Sequence, residues 1–583
     1  MDEQTQSPDR VSRRQFLKAA GLGLGTLFGS GLACGRSTQE AGPVASPTDT
    51  PRPTAVPTVP QPTVASAATS PPPAPTAALT PELAADLVLT NGKVITVDAA
   101  DTIARAVAVK DGHIQAVGSD EEIRALAGPT TEAIDLAGRA LTPGLIDAHN
   151  HLQVMGLMDG FYVSFLPPEV TTIEELQAAL ARAVAQVPEG EWVQGYFLVV
   201  TEGRLPDKHD LDSVSPKHPV WILQQGGHYG SANSLALQMA NITATTPDPV
   251  GGVIARDSRG EPTGVFYNHR AMDVLRLKAP RPTMDMVRRN VVSAQSLFAA
   301  CGVTSFQDNN VRGTDTVETY LDVGRQGDMR LRGSVYYTLE WPQDLDRALK
   351  EIDYGAGGEL MHFAGFKFLL DGQLKMAYCH EPHNGERWDT PTWDPQNFKD
   401  AVRALHDTGL QICVHCAGDA AADLTLDAFE EAMEANPRPD PRHRIEHGVI
   451  TTPEATRRMA DLGVVVSTQP QFIRLGGDGY APMFGEERAR RVIVTREWLE
   501  GGVHLALGSD APTTPWYTPQ ITLFGALARV TLSNERFFPE QALTIQEALR
   551  AHTMGSAYAA HEEEIKGSIE VGKLADLVVW GDD

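Results

Sequence analysis

Short apolar runs alternate with helix-length amphipathic segments through the middle of the chain. Eight runs predict strands, at 145–149, 302–306, 331–337, 365–370, 411–416, 443–447, 464–468 and 504–508. Four of these strands follow a glycine that is typical of a helix end, namely Gly302, Gly409, Gly463 and Gly502. Strands that alternate with helices form parallel sheets, and eight of them close into a TIM-type (β/α)8 barrel. We therefore predict an α/β barrel with its functional site at the carboxyl ends of the strands.

A second pattern, short strands joined by tight turns, flanks this region on both sides. Asn91-Gly92 and Asp111-Gly112 are typical hairpin turns between alternating apolar and polar positions, and similar runs return near the end of the chain. We expect the two flanking segments to form one small composite β-sandwich. The expected boundaries are 81–143 and 561–583 for the sandwich and 144–560 for the barrel.

The connection between the first and second predicted barrel strands is unusually long. Residues 152–300 separate them. Thr172 and Glu175 have the spacing of a capping box that opens a helix, and 219–225 reads as a strand. This segment is predicted to be an inserted subdomain that leaves the active-site end of the barrel and covers the substrate pocket.

The N-terminal region carries targeting signals instead of a fold. Within residues 1–34, Ser12–Lys18 resembles the twin-arginine export signal, and Gly31–Gly35 resembles a lipobox that would place a lipid on Cys34. An ordinary cleaved signal with an incidental cysteine is the alternative. Residues 35–80 are rich in Pro, Thr and Ala and read as a disordered tether. We expect an extracytoplasmic protein anchored to the membrane by this lipid.

Charge and cysteine content narrow the class of partner. The formal net charge is −26, and no basic cluster stands out in the folded part, so nucleic acid and anionic membrane surfaces are poor partners. Membrane contact is expected only through the signal or the lipid anchor. Five scattered cysteines are too few to staple a fold of 583 residues. A small molecule is the expected partner, and homodimer formation stays open.

Candidate chemistry lies at the ends of the predicted strands. His149 and His151 lie two residues apart on the first strand, so both imidazoles face one point, as two ligands of one metal must. Taken alone, H-x-H is a weak signal. Four further residues strengthen it, because each lies on or at the end of a later strand: Lys367, His415, His447 and Asp510. Together they predict a metal site.

Lys367 needs a separate argument, because an ammonium repels a metal. Burial in an apolar strand lowers the pKa of a lysine toward the neutral amine, which reacts with carbon dioxide to give an anionic carbamate. A carbamate can bridge two metals. The alternative is a structural ion pair between Lys367 and Asp371.

These motifs resemble those of the amidohydrolase superfamily, and within it the amidohydrolase 3 branch that includes N-substituted formamide deformylase. The resemblance is carried by P-G-L-I-D-A-H-N-H-L, F-K-F-L-L-D-G, H-C-A-G-D-A-A, R-I-E-H-G and G-S-D-A-P, at 143–152, 366–372, 415–421, 444–448 and 508–512. It covers about residues 84–580, and its motifs are specific to the branch but not to a substrate.

The resemblance implies two divalent metal ions, with zinc favoured by the nitrogen-rich set. It makes His149 and His151 ligands of the more buried ion, with Asp510, and His415 and His447 ligands of the more exposed ion; carbamylated Lys367 bridges the two. It further implies that a metal-bridged hydroxide hydrolyses a non-peptide amide, with Asp510 as base and then acid. A mononuclear deaminase and an inactive solute-binding lipoprotein are the alternatives.

Secondary residues complete the expected site. His228, in the inserted segment, is expected to reach the substrate carbonyl or, alternatively, to fix its loop. Asn233 is expected to brace that loop. Asp371 and Gln469, near the ends of strands four and seven, are candidates for substrate binding. Glu446 is expected to be structural, behind the barrel, because it alternates with His447.

Overall fold

The computed structural model describes residues 83–157, 160–165, 169–198, 204–382, 388 and 390–581. The export signal, the lipobox with Cys34 and the tether lie outside these residues. Within the described part of the chain, no helix combines the length and the apolar composition that crossing a membrane requires.

Eight parallel strands form the central sheet, in the same order as in the chain. They are Leu145–Asn150, Val303–Val311, Arg332–Leu339, Met361–Leu369, Gln411–Cys416, Arg444–His447, Val465–Thr468 and Leu505–Leu507. The first and last strands meet through two backbone hydrogen bonds of 2.7 Å each, from Asp510 N to His149 O and from His151 N to Ala511 O. The sheet therefore curls into a nearly closed barrel, and the predicted fold class is confirmed.

Helices follow the barrel strands and pack on their outer face. They are Met284–Ala299, which precedes the second strand, and then Thr314–Arg325, Pro342–Glu351, Pro395–His406, Asp419–Ala435, Pro453–Asp461, Gln471–Phe484, Glu486–Ala489, Thr495–Glu500, Pro519–Ala528, Ile545–Arg550 and Ser556–Tyr558. Local sequence determines where several of these helices begin. The Thr452 side chain, for example, accepts a hydrogen bond from Ala455 N, and Pro453 occupies the first helical turn.

Strand four shows how the barrel wall holds a polar residue. Phe366 and Phe368 are fully buried in the large core cluster outside the sheet. Burial of each phenylalanine is worth about 1.5–3 kcal/mol, which fixes the register of the strand. Lys367 alternates with them and so faces the barrel interior.

Two four-stranded sheets form the sandwich beside the barrel. One contains His113–Gly118, Ala106–Lys110, Ala85–Thr90 and Ala127–Asp135, and the other contains Leu577–Val579, Ala140–Pro143, Lys93–Ile95 and Ile103–Ala104. The last strand of the chain pairs antiparallel with Ala140–Pro143, so both ends of the described chain contribute to one sheet. A short helix, Asp120–Arg124, connects two strands of the first sheet.

One hairpin prediction is confirmed and one is wrong. Asp111-Gly112 joins two antiparallel strands, as expected. Asn91-Gly92 instead carries the chain from one sheet of the sandwich to the other. A Cβ on Gly92 would lie 2.3 Å from the Leu136 side chain, so glycine is needed here for close packing.

The inserted segment contains its own six-stranded sheet. Its strands, in sheet order, are Val253–Arg256, Pro262–Tyr267, Tyr229–Ala232, Val220–Gln224, Val193–Leu198 and Val163–Ser164. Its helices are Leu152–Leu157, Ile173–Val184, Lys208–Asp212, Ser234–Met239 and Asn268–Arg276. Thr172 and Glu175 form the expected capping box. Asn233 braces the expected loop: its side chain accepts from Ala236 N and Val220 N, each at 3.0 Å.

Candidate metal centre

Three residues from the two strands that close the barrel gather at its carboxyl end. His149, His151 and Asp510 present ligand atoms that all lie within 4.8 Å of one another. His151 Nε2 is 2.9 Å and His149 Nε2 is 3.3 Å from Asp510 Oδ1. Burial alone would raise the pKa of Asp510, but hydrogen bonds and charge interactions with both histidines hold it well below its usual range. Two imidazoles and one carboxylate form a donor set that suits a divalent transition metal.

Glu446 holds the first of these histidines. Its Oε2 accepts a hydrogen bond of 2.5 Å from His149 Nδ1, which leaves Nε2 to face Asp510. The expectation that Glu446 lies behind the barrel is therefore wrong. The reason is that His447 has a φ of 70°, so strand alternation stops there, and both neighbours reach the interior.

A buried ion pair supports Glu446. Arg444 Nε lies 2.7 Å from Glu446 Oε1, and both side chains are fully buried. The Arg444 guanidinium also donates to Gln307 Oε1 and, at 2.7 Å, to Ala148 O. Charges this deep need such partners. The arrangement links a strand-one histidine to strands two and six.

Gln469 orients His447 and does not line the cavity. Its Oε1 accepts a hydrogen bond of 2.6 Å from His447 Nδ1, so Nε2 carries the free lone pair. Gln469 is fully buried. The expected substrate contact is therefore replaced by a contact with a histidine. Burial lowers the pKa of His447 to about 3, which keeps the ring neutral.

Asp371 likewise lies behind the site. Its carboxylate accepts backbone hydrogen bonds from Tyr378 N (3.0 Å), Ala417 N (3.0 Å) and Gly418 N (2.8 Å), and it is fully buried. Oδ1 is 3.5 Å from His415 Nε2. Asp371 thus fixes the turn that follows His415 and is not on the cavity wall. No ion pair joins it to Lys367 among the described residues.

Lys367 and His415 complete the group. Among the residues that the structure describes, Lys367 Nζ and His415 Nε2 have no hydrogen-bond partner, although both are buried. Burial lowers the pKa of both side chains. The His415 and His447 ring centroids are 4.5 Å apart, and those of His447 and His149 are 4.7 Å apart. The structure therefore brings all six candidate ligands to one end of the barrel.

A cavity of about 760 Å³ opens above these residues. The barrel supplies its floor, and the inserted subdomain supplies His228 and His269. The insertion is tied down beside the site, because Gly226 N donates to Thr513 O at 3.2 Å. Aromatic side chains form much of the wall, including Tyr162, Tyr196, Trp221, Trp341, Phe472, Tyr480 and Phe484. A small organic substrate fits this enclosure.

His228 reaches the site from the insertion, as the sequence predicts. Its ring centroid is 4.9 Å from that of His415, and burial lowers its pKa to about 4. Nδ1 has no partner among the described residues. A neutral imidazole at this place can hydrogen-bond a substrate carbonyl from above the barrel.

Sequence reasoning missed Glu446 and Gln307 as supports of the site. The available signal was the R-x-E spacing of Arg444 and Glu446: two charges on one face of an otherwise apolar strand must pair inside the protein.

The free energy of unfolding is expected to fall in acid because of a buried pair of histidines, His406 and His443, at the opposite end of the barrel from the candidate metal ligands. Ile412 N donates to His443 Nδ1 (3.1 Å), so His443 Nε2 donates to His406 Nδ1 (2.8 Å), and His406 Nε2 donates to Asn436 O (2.8 Å). Burial holds the pKa of His443 well below its ordinary value, and His406 and Arg438 lower it further.

Because the pKa of His443 is lowered in the folded protein, only the unfolded chain takes up this proton as the pH falls below about 6.5. The contribution of His443 to the free energy of unfolding is therefore constant above that pH. Below it, the free energy of unfolding decreases by up to about 1.4 kcal/mol per pH unit for one histidine. Urea unfolding at pH 7.5, 6.5 and 5.5 measures this slope. The His443→Asn variant should show a shallower slope, and an unchanged slope would contradict the assignment.

Comparison with known proteins places the site in context. Residues 132–583 match the profile of the amidohydrolase family. The chain is 31% identical over 525 residues to the protein LONG AFTER FAR-RED 3 of Arabidopsis thaliana, covering 86% of this chain and 88% of the relative. It is 30% identical over 520 residues to the N-substituted formamide deformylase of Arthrobacter pascens, covering 85% and 94%. The crystal structure of an uncharacterized metal-dependent hydrolase from Pyrococcus horikoshii shares the fold, with a TM-score of 0.67, 24% identity and coverage of 85% and 97%.

Proposed function

The chain belongs to the amidohydrolase family, and from this premise we propose that it is a metal-dependent hydrolase of a non-peptide amide C–N bond, of the N-acyl or N-formyl amine type. One observation carries the proposal: the six candidate ligands line one cavity that is large enough for a small molecule, and three of them, His149, His151 and Asp510, bring ligand atoms within 4.8 Å of one another. The name of the Arthrobacter relative, N-substituted formamide deformylase, supports the formyl or acyl amine class.

The residues fit a divalent metal, with zinc proposed. Hydrogen bonds to Glu446 and Gln469 fix the tautomers of His149 and His447, so each turns a lone pair inward. When bound, the metal supplies water activation and carbonyl polarisation. Asp510 has the position to accept the water proton at Oδ and return it to the departing nitrogen, and its lowered pKa keeps the carboxylate ionised and free of a proton before the reaction. His228 orients the substrate carbonyl.

A pair of ions bridged by carbamylated Lys367 is the more specific part of this proposal. The buried amine without a partner and its lowered pKa support it. One ion held by His149, His151 and Asp510, as in a mononuclear deaminase, is the second candidate, because only these three offer ligand atoms within 4.8 Å among the described residues.

Replacing Lys367 with methionine separates the two candidates. We expect zinc content to fall from two ions to one per chain and kcat/KM to fall about 10²–10³-fold, because the carbamate can no longer form. Mass spectrometry of the native protein and metal analysis measure both. One zinc per chain in the wild type, with full activity in the variant, would support the mononuclear site.

Hydrolysis itself is tested with a panel of N-formyl amines, N-acyl amines and cyclic amides. The zinc-loaded protein should release the amine, and chelator treatment should abolish this until zinc is restored. No hydrolysis of any amide by the metal-replete protein would overturn the proposal.

We further propose that the protein is exported by the twin-arginine route and carries a lipid on Cys34. The motifs at Ser12–Lys18 and Gly31–Gly35 support this. Mass analysis of the mature N-terminus tests it: a chain that starts at an acylated Cys34 agrees, whereas an unmodified start elsewhere contradicts it.

A further inference from the structure

His269 lies on the part of the cavity wall that the insertion contributes. It is the second residue of the helix Asn268–Arg276, directly after the strand Pro262–Tyr267. Its side chain is 3% exposed, and neither ring nitrogen has a hydrogen-bond partner among the described residues. No other histidine in the described chain has both nitrogens buried and unpartnered. A buried nitrogen without a hydrogen bond is unfavourable, and a ligand that supplies the missing bond recovers this cost.

The position of His269 relates it to the substrate and not to the metal. Four histidine rings lie one after another from the candidate metal centre into the insertion, in the order His447, His415, His228 and His269. Successive ring centroids are 4.5, 4.9 and 6.5 Å apart. His269 is the last of these rings, and His228 lies between it and the candidate metal ligands. It therefore faces the cavity on the side of His228 that is away from the candidate metal ligands.

The surroundings of His269 select the kind of group that it meets. The guanidinium of buried Arg270 lies 4.1 Å from the Trp341 ring centroid, and its Nη1 has no hydrogen-bond partner among the described residues. Arg276 lines the cavity two turns along the same helix, where it pairs with Asp273 (2.5 Å) and Glu340 (2.6 Å).

Burial holds the pKa of His269 well below its ordinary value, and the charge of Arg270 lowers it further, while Glu340 opposes this. The ring is therefore neutral and has one N–H to donate. Arg276 is paired with Asp273 and Glu340, so the positive charge beside the ring is chiefly that of Arg270, behind the cavity wall. Arg270 lowers the pKa of His269 more than Glu340 raises it, and this charge favours an oxygen acceptor over an ammonium next to the ring.

We propose that His269 is a specificity-determining residue that donates a hydrogen bond to an oxygen acceptor of the substrate, a few bonds from the scissile amide. This inference rests on the proposed function and narrows its substrate class. The preferred amides carry an ether, hydroxyl or carbonyl oxygen beside the reacting group, whereas hydrocarbon and cationic analogues are poor substrates.

Matched pairs of amides test the inference. N-formyl-2-methoxyethylamine and N-formylbutylamine differ only by an oxygen in place of a methylene on the amine side. Methoxyacetyl and butanoyl amides of one amine make the same change on the acyl side. In the wild type we expect kcat/KM to be about 10-fold or more higher for the oxygen member of one pair, since 1.4 kcal/mol corresponds to a factor of ten. N-formyl-1,2-diaminoethane should be hydrolysed least.

Two variants assign this preference to His269. In His269→Leu, the ratio of kcat/KM for the oxygen member to kcat/KM for the methylene member should fall to about one. The kcat/KM for the methylene member should stay within a few-fold of its wild-type value. His269→Gln keeps a donor and should retain part of the ratio. Zinc content should not change in either variant. The free energy of unfolding of His269→Leu should be unchanged or higher, because two unpartnered polar atoms are removed.

Failure of this inference is distinguishable from failure of the proposed function. If no amide is hydrolysed, the proposed function fails. The inference about His269 is then tested by calorimetric titration of the same amide pairs into the intact protein, and the ratio of the two Kd values replaces the ratio of the two kcat/KM values. Equal values for both members in the wild type, or an unchanged ratio in His269→Leu, would overturn the inference. A large loss of stability in His269→Leu would assign the ring a structural role instead.

Discussion

Replacing Asp510 with asparagine is expected to lower kcat/KM about 10³-fold and to leave the fold intact. The amide keeps the size of the carboxylate but cannot accept a proton at Oδ, and it offers a weaker contact to His149 and His151, which lie 3.3 and 2.9 Å from Oδ1. In the proposed hydrolysis, the first proton step therefore loses its acceptor and the second loses its donor. Steady-state kinetics on the best amide of the panel, with zinc content measured on the same sample, provide the test.

Asp315 is a matched control, because it lines the same cavity and does not take part in the metal cluster. Asp315→Asn should change kcat/KM only a few-fold. Circular dichroism and the melting temperature show whether Asp510→Asn keeps the fold. Activity of Asp510→Asn within tenfold of the wild type, at equal zinc content, would remove Asp510 from the proton pathway.

Replacing Glu446 with glutamine is expected to have the largest effect on stability. The change leaves the charge of Arg444 buried without its 2.7 Å partner, and loss of one member of a buried ion pair costs about 3–5 kcal/mol. Glutamine also weakens the acceptor for His149 Nδ1, which lowers zinc affinity about 10–100-fold. Denaturant unfolding and competition with a zinc chelator measure the two effects separately.

The exposed pair between Lys350 and Asp346 is the control, since its side chains are 69% and 78% exposed. Asp346→Asn should change the free energy of unfolding by less than about 0.5 kcal/mol. The double variant Arg444→Met/Glu446→Gln should recover part of the lost stability, because no unpaired charge remains. A Glu446→Gln variant as stable as Asp346→Asn would contradict the role of this pair.

The barrel could be predicted from the sequence because its signals are local. Apolar runs, four of them just after a glycine, indicate the strands, and all eight predicted strands overlap observed ones, with ends that agree to within five residues. That His149, His151, His415, His447 and Asp510 lie around one cavity could be predicted, because each follows or ends a predicted strand and the carboxyl ends of barrel strands meet at one face. The inward position of Lys367 could be predicted because it alternates with phenylalanines that face the outer core.

The residues behind the site could not be predicted, because their partners are distant in the chain. Glu446 contacts His149, which lies 297 positions away, and the positive φ of His447 breaks the alternation on which the sequence argument relied. Gln469 follows its strand, and periodicity says nothing about where its side chain turns. The turn at Asn91-Gly92 shows the same limit, since local turn chemistry does not specify which sheet receives the next strand.

The pairing of Leu577–Val579 with Ala140–Pro143 constrains the order in which the molecule can form during synthesis. Ala140–Pro143 cannot complete its pairing until Leu577–Val579 has been synthesised, more than 400 residues later. At a translation rate of about 5–20 residues per second, that edge stays open for roughly 20–90 seconds, a long time for an unpaired strand. Closure of this contact is a non-local, late event, and a nascent chain arrested before residue 577 should expose Ala140–Pro143 to protease and to chaperones.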